Sequence, residues 1–262
     1  MTNARPPASY RPVRWTSRSG NGPLRLFRFL AVSPLLSILM PAYDESATLM
    51  AAVERVLSVD YPCTFELVIV DDGSTDGTTN LLRGLTDPRV VVRHHEVNQG
   101  KGAAIRTAAW TASGTYLIIC DADLEYAPEE IPSLVQVVID DYGIEVVYGT
   151  RTFGSHNAYS FWYVMGNKAV TLAANVLFDS YISDLETCFK LLPVALYREL
   201  DVRSAGFGME AEVTAKLLRR GVRPYEVPIS YRARSRAEGK KLTWRDGVEA
   251  LWILTRIRVR GY

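Results

Sequence analysis

The sequence predicts an α/β fold: a single domain built on a mostly parallel sheet with helices on both faces. Two observations predict it. Short, continuous apolar runs alternate with amphipathic helical segments from residue 35 onward, the pattern of strands buried on both faces. Three successive runs end in polar clusters, at 41–45, 71–74 and 121–123, and ligands of such sheets bind beyond the carboxyl ends of the strands. With 262 residues, 48% of them hydrophobic, the chain can bury a large core.

Residues 1–34 carry Arg5, Arg11, Arg14, Arg18, Arg25 and Arg28 and no acid, and are expected to form a disordered basic arm. This polar, Pro/Arg-rich start is no secretory signal, and the apolar stretch 29–42 is too short to span a bilayer. Leu35–Met40 is the first strand. A helix with Leu49, Val53, Val56 and Leu57 on one face follows, capped by Ser46. Phe65–Val70 is the second strand, then come a helix near Thr78–Leu85, a strand at Val90–His94 and a helix opened by Asn98-Gln99-Gly100-Lys101-Gly102. The strand Tyr116–Cys120, the helix Pro128–Asp140 and the strand Glu145–Tyr148 continue the alternation. After residue 150 the pattern loosens through Phe161, Trp162 and Tyr163. A strand near Phe189–Leu192, the helix Met209–Arg220, the strand Pro224–Ile229 and a last helix Leu242–Arg258 complete the chain. The expected divisions are the arm at 1–34, a catalytic domain at 35–241 and an amphipathic C-terminal helix at 242–262.

A net charge of +1 excludes a nucleic-acid binder held by bulk charge, so no nucleic acid is expected as a partner. Cys63, Cys120 and Cys188 lie far apart in apolar contexts and read as reduced thiols, not as a disulfide or zinc framework.

The chemistry is expected at the strand ends. Asp121 and Asp123 can reach one hard cation, and Mg²⁺ or Mn²⁺ takes one or two carboxylates with diphosphate oxygens and water completing the octahedron. The same aspartates could instead cap the helix near Pro128. Asp71 and Asp72 precede Gly73 and Ser74, a turn able to present side chains and N–H groups to a ligand; a plain turn with a helix cap at Asp76 is the alternative. The glycine-flanked Lys101 can meet phosphate at a helix start.

"SILMPAYDE", "VIVDDGSTDGT", "NQGKGAA" and "DADLEYAPEE" occur in the order and at the spacing of family 2 glycosyltransferases, whose fold is the Rossmann-like GT-A fold. Within that family the chain most resembles the dolichyl- or polyprenyl-phosphate mannose and glucose synthases. The resemblance covers about residues 35–245. It implies nucleoside-diphosphate-sugar binding by Pro41, Tyr43, Glu45, Asp72, Lys101, Asp121 and Asp123, and a metal held by Asp121, Asp123 and Glu125. Related synthases often carry Gln where Glu125 stands and Asn where Asp44 stands. "GTR" resembles a Gly-x-Arg step that aims Arg151 at phosphate. "SDLETCFKLL" resembles an acceptor-side segment offering Asp184 and Glu186. "RSRAEGKK" resembles an Arg-x-x-Gly-Ser-Lys loop, with Arg236, Gly239 and Lys241 matching and Lys240 in place of the serine. Catalysis is thereby expected from Asp123, Arg151, Asp184 and Arg236, and acceptor-phosphate binding from Arg151, Arg236 and Lys241.

The implied reaction is inverting transfer of a hexose, mannose or glucose, from a UDP- or GDP-sugar to polyprenyl or dolichyl phosphate. A phosphate monoester is already nucleophilic at pH 7 and calls for cations around it. A polysaccharide or small-molecule hydroxyl acceptor would instead call for a carboxylate base, such as Asp184 or Glu210. In the C-terminal segment Leu242, Val248, Leu251, Trp252 and Leu254 accompany Arg245, Arg256, Arg258 and Arg260, the composition of a helix lying in a membrane interface. The expectation is a cytoplasmic protein, peripheral on the cytoplasmic face of the membrane, with the membrane surface and a separate membrane protein as partners.

Overall fold

A computed structural model describes residues 35–140, 143–155, 160–233 and 243–260. The basic arm at 1–34 and the loop "RSRAEGKK", with Arg236 and Lys241, lie outside these residues, as does Leu242. Strands β1 (Leu36–Ala42), β2 (Phe65–Asp71), β3 (Val90–His94), β4 (Tyr116–Ile119), β5 (Val147–Thr150), β6 (Lys190–Pro193) and β7 (Tyr225–Pro228) form one seven-stranded sheet in the order β3-β2-β1-β4-β6-β5-β7. β1 to β4 pair in parallel, as does β5 with β7, while β6 runs antiparallel to both β4 and β5. The expected sheet is therefore mostly parallel, with one reversed strand.

The helices are α1 (Leu49–Ser58), α2 (Thr78–Arg83), α3 (Lys101–Thr111), α4 (Ile131–Ile139), α5 (Phe161–Phe178), α6 (Val194–Glu199), α7 (Met209–Arg219) and α8 (Trp244–Arg260). The helix expected from Pro128 opens as a single 3₁₀ turn before α4, because Pro132 has no N–H for the Pro128 carbonyl four residues back, which accepts the Ile131 N–H instead. Ser46 does not cap α1; the cap position is Thr48, and the Ser46 N–H donates to Asp76 Oδ2 at 2.9 Å. Asp76 also accepts the Thr78 N–H at 3.0 Å, a local turn contact ahead of α2; the cap position of that helix is Gly77, not Asp76.

Successive residues of a strand face opposite ways, which builds two cores. On one face Ile38, Ile69 and Ile118 meet Val53 of α1 and Leu134 of α4. On the other Leu39, Val68 and Leu117 meet Ala104 and Ala108 of α3 and Val213 of α7. A third cluster joins α5, α7 and α8 through Val170, Ala174, Ala211, Ala250 and Leu254. Each fully buried Leu or Ile contributes about 1.5–3 kcal/mol.

Candidate active site

β2 and β4 flank β1 in the sheet, so the chain departs in opposite directions on either side of it. A crevice opens at the carboxyl ends where that reversal occurs. Here it is a cavity of about 1470 Å³ whose lining includes Pro41, Tyr43, Glu45, Asp72, Lys101, Asp121, Asp123, Glu125, Arg151 and Asp184. The fold thus brings together every expected site residue among those described.

Within this crevice the turn after β2 is internally tied. Asp71 accepts the Ser74 N–H at 3.0 Å and the Thr79 hydroxyl at 2.5 Å. Burial raises the Asp71 pKa, but the hydrogen bonds from Ser74, Thr79 and His94 outweigh it and hold the carboxyl below its usual value. Asp44 takes the left-handed backbone region at φ 50°, where Asn and Asp are the tolerated residues, and its Oδ1 accepts the Thr75 N–H at 2.7 Å.

Lys101, the first residue of α3, does not stand apart to await phosphate. Its ammonium donates to Asp121 Oδ2 at 2.8 Å and lies 3.0 Å from Glu210 Oε1. Burial would lower its pKa, but Asp121, Cys188 and Glu210 raise it further, so the ammonium stays charged. The Cys188 thiol donates to the same Asp121 Oδ2 at 2.7 Å. The antiparallel register that pairs Ile118 with Leu191, continued three residues, puts Cys188 opposite Asp121.

Asp121 Oδ1 is buried without a hydrogen-bond partner. An orphaned carboxylate oxygen beside Asp123 is an all-oxygen donor set that fits a hard divalent ion. Glu125 does not join the pair. Leu124 turns the chain at φ 61°, and Glu125 Oε2 accepts the Tyr231 hydroxyl instead. Among the described residues no group of three or more His, Cys, Asp and Glu side chains is arranged to hold a metal.

Arg151 and Asp184 form a bidentate pair, Nε to Oδ2 at 2.7 Å and Nη2 to Oδ1 at 2.8 Å. Asn167 of α5 donates to Asp184 Oδ1 at 2.9 Å, and Arg151 lies over the Tyr231 ring at 4.8 Å. Burial raises the Asp184 pKa, but Arg151 overrides it and holds the carboxyl at about 2. So committed, Asp184 orients Arg151 and is a poor base.

Glu186, also on the cavity wall, differs. Burial and the nearby charge of Glu210 push its carboxyl up to about 7. Beneath these acids Lys190 is fully buried, over the Tyr148 ring at 4.2 Å and donating to the Leu185 carbonyl at 2.7 Å. Burial draws its pKa down to about 8 against the pull of Glu210, Asp184 and Glu186. The sequence reading missed Lys190, the Tyr231 contacts and the Cys188 contact, because each depends on strand pairing.

The lining of the cavity also includes Trp162 and Tyr163 of α5 and Trp244, Val248 and Leu251 of α8. α8 has two apolar faces. Ala250, Ile253, Leu254 and Ile257 are buried, whereas Trp244, Val248 and Trp252 are exposed. Leu254, expected on the membrane side, therefore packs inward. Arg258 Nε donates to the Leu177 carbonyl at 2.7 Å, so it tethers the end of α5. Phe161, Trp162, Leu172 and Val176 of α5 are exposed too. No helix among the described residues is long and apolar enough to cross a membrane.

The chain is 34% identical over 157 residues to the undecaprenyl-phosphate 4-deoxy-4-formamido-L-arabinose transferase of Aeromonas hydrophila, across 56% of this chain and 46% of that one. It is 35% identical over 114 residues to the Yersinia pestis protein of the same name, across 42% and 35%. It thus spans less than half the length of these curated relatives. Among solved structures, glucosyl-3-phosphoglycerate synthase of Mycobacterium tuberculosis in complex with UDP aligns with a TM-score of 0.65 at 19% identity, over 85% of this chain and 80% of that one. The same enzyme with Mg²⁺ and UDP aligns with a TM-score of 0.65 at 18% identity and the same coverage. At such identity the likeness speaks for the fold alone, which is GT-A. The family model described as glycosyl transferase family 2 matches residues 37–200, and with that span matched the chain belongs to glycosyl transferase family 2.

Proposed function

We propose that this protein transfers a sugar from a nucleoside-diphosphate donor to a polyprenyl phosphate at a membrane surface. The observation that carries the reading is one cavity whose lining combines Asp121, Asp123 and Arg151 with apolar side chains of α5 and α8. Pro41, Tyr43, Glu45 and Asp72 are the proposed nucleotide wall. Asp121, through its orphaned oxygen, and Asp123 would hold Mg²⁺ or Mn²⁺. When bound, the ion supplies Lewis-acid stabilisation of the charge gathering on the departing diphosphate. Asp184 orients the Arg151 guanidinium for phosphate, where Arg236 and Lys241 are proposed to add charge. The outward aromatics of α5 and α8 would sit in the membrane interface, on its cytoplasmic face. UDP- and GDP-linked glucose and mannose are the hexose donors to test first, with the formamido-arabinose named for the relatives as a pentose alternative.

A second reading has one observation in its favour. Glu186, held near 7 on the cavity wall, is in the range of a general base for a hydroxyl acceptor. The two readings separate on Glu186→Gln, assayed with polyprenyl phosphate and with sugar-hydroxyl acceptors. Label moving into polyprenyl phosphate, with Glu186→Gln still active, supports the lipid reading. Transfer only to hydroxyl acceptors, abolished by Glu186→Gln, overturns it.

A further inference from the structure

Asp72 is engaged on several sides before any nucleotide arrives. Its Oδ1 accepts the Gln99 N–H at 2.9 Å and lies 2.6 Å from His95 Nδ1, while Oδ2 accepts the Gly100 N–H at 2.7 Å. An ionised carboxylate only accepts, so the facing Nδ1 is the ring nitrogen that carries hydrogen. In the neutral ring Nε2 is then an acceptor, and it lies 2.9 Å from the Thr107 hydroxyl of α3. The His95 side chain is 9% exposed and is not part of the cavity lining. It bridges Asp72 to α3 from behind the site.

The loop so held has little freedom elsewhere. Gly73 has φ 72°, and a Cβ there would lie 2.6 Å from the Val97 carbonyl carbon; Gly100 has φ 94°, and its Cβ would lie 2.5 Å from the Ala205 oxygen. Only glycine fits such positions. The loop lines the cavity with Asn98 and Gly100, and it delivers Lys101 to Asp121 Oδ2.

We propose that His95 is a positioning residue of the donor site: its Nδ1–H fixes Asp72 in the orientation that grips the Gln99 and Gly100 N–H groups, and so sets the loop that carries Lys101. The consequence for nucleotide affinity rests on the transferase reading above; the grip on the loop does not. Two substitutions part the ring's functions. His95→Asn retains a donor where Nδ1 stands and loses the link to Thr107. His95→Gln reaches Thr107 but loses the link to Asp72.

The test uses the full chain, with hydrogen exchange at the Gln99 and Gly100 amides and calorimetric binding of UDP and of GDP. His95→Gln is expected to speed exchange at both amides and weaken nucleotide binding at least about tenfold, the scale of one hydrogen bond to a charged group. His95→Asn is expected to stay within about threefold of the wild type on both readouts. Equal losses in the two variants, or none in either, overturn the proposal. If His95→Gln does not fold, His95→Ala carries the test: it removes the Nδ1 donor and should speed exchange of the two amides at least about tenfold relative to His95→Asn, and equal exchange in His95→Ala and His95→Asn overturns the proposal. Should the wild type bind neither nucleotide, the donor-site reading falls while hydrogen exchange still decides the grip on the loop.

Discussion

Asp121 and Asp123 show how one local geometry yields unequal roles. Asp121 is held by Lys101 and Cys188 with one oxygen left over, while Asp123 Oδ1 accepts the Glu125 N–H at 3.0 Å across the Leu124 turn. Asp123→Asn keeps the shape and the turn but removes a charge from the ion site. Turnover should fall at least about 100-fold, the scale of losing one strong electrostatic contact in a transition state, with an unchanged circular-dichroism spectrum. Glu186 supports a prediction of a different kind. Its carboxyl titrates near 7 instead of 4.5, through burial and Glu210, with Asp184 adding to the rise and Lys190 and Arg151 opposing it. The folded state thus binds this proton more tightly than the unfolded chain, and the associated stability is lost as pH rises from about 4.5 through 7. Melting temperatures across pH 5–8 should fall for the wild type, and Glu186→Gln should flatten that fall.

The roles of α5 and α8 were only half legible in sequence. α8 could be read because arginine alternates with apolar residues, but its two apolar faces could not be separated until α5 and α7 were packed against Leu254 and Ile253. α5 was read as loose aromatic chain. Its apolar residues lie around the whole helix, Val170 and Ala174 inward and Trp162, Leu172 and Val176 outward, so no single stripe marks it. The two-faced arrangement makes opposite predictions for neighbouring residues. Leu254→Ala, at a fully buried site, should cost about 2–5 kcal/mol of stability, measured by denaturant unfolding. Trp252→Glu and Trp162→Glu should leave the melting temperature alone and reduce co-sedimentation with anionic liposomes roughly tenfold. Unaltered sedimentation of both would remove the membrane role of this surface.

At the scale of the molecule, most of the sheet was legible because β1 to β4 begin as apolar runs, and the polar ends of β1, β2 and β4 mark the crevice in the sequence itself. The reversal of β6 was not legible. Phe189–Leu192 reads alike in either direction, and only sheet order sets Cys188 opposite Asp121. The pairing of Lys101 with Asp121 and Glu210 was not legible for the same reason, since Glu210 reaches it from a distant helix. In the proposed function the paired aspartates act through a divalent ion on transfer to a lipid phosphate. The most direct measurement is radiolabel transfer from UDP- and GDP-sugars to undecaprenyl phosphate by the full chain, with Mg²⁺ or Mn²⁺ and again in EDTA. Label is expected in the organic phase with metal, and is expected to be lost in EDTA and in Asp123→Asn. Undiminished transfer in EDTA, or label passing only to water-soluble acceptors, would contradict the proposed function.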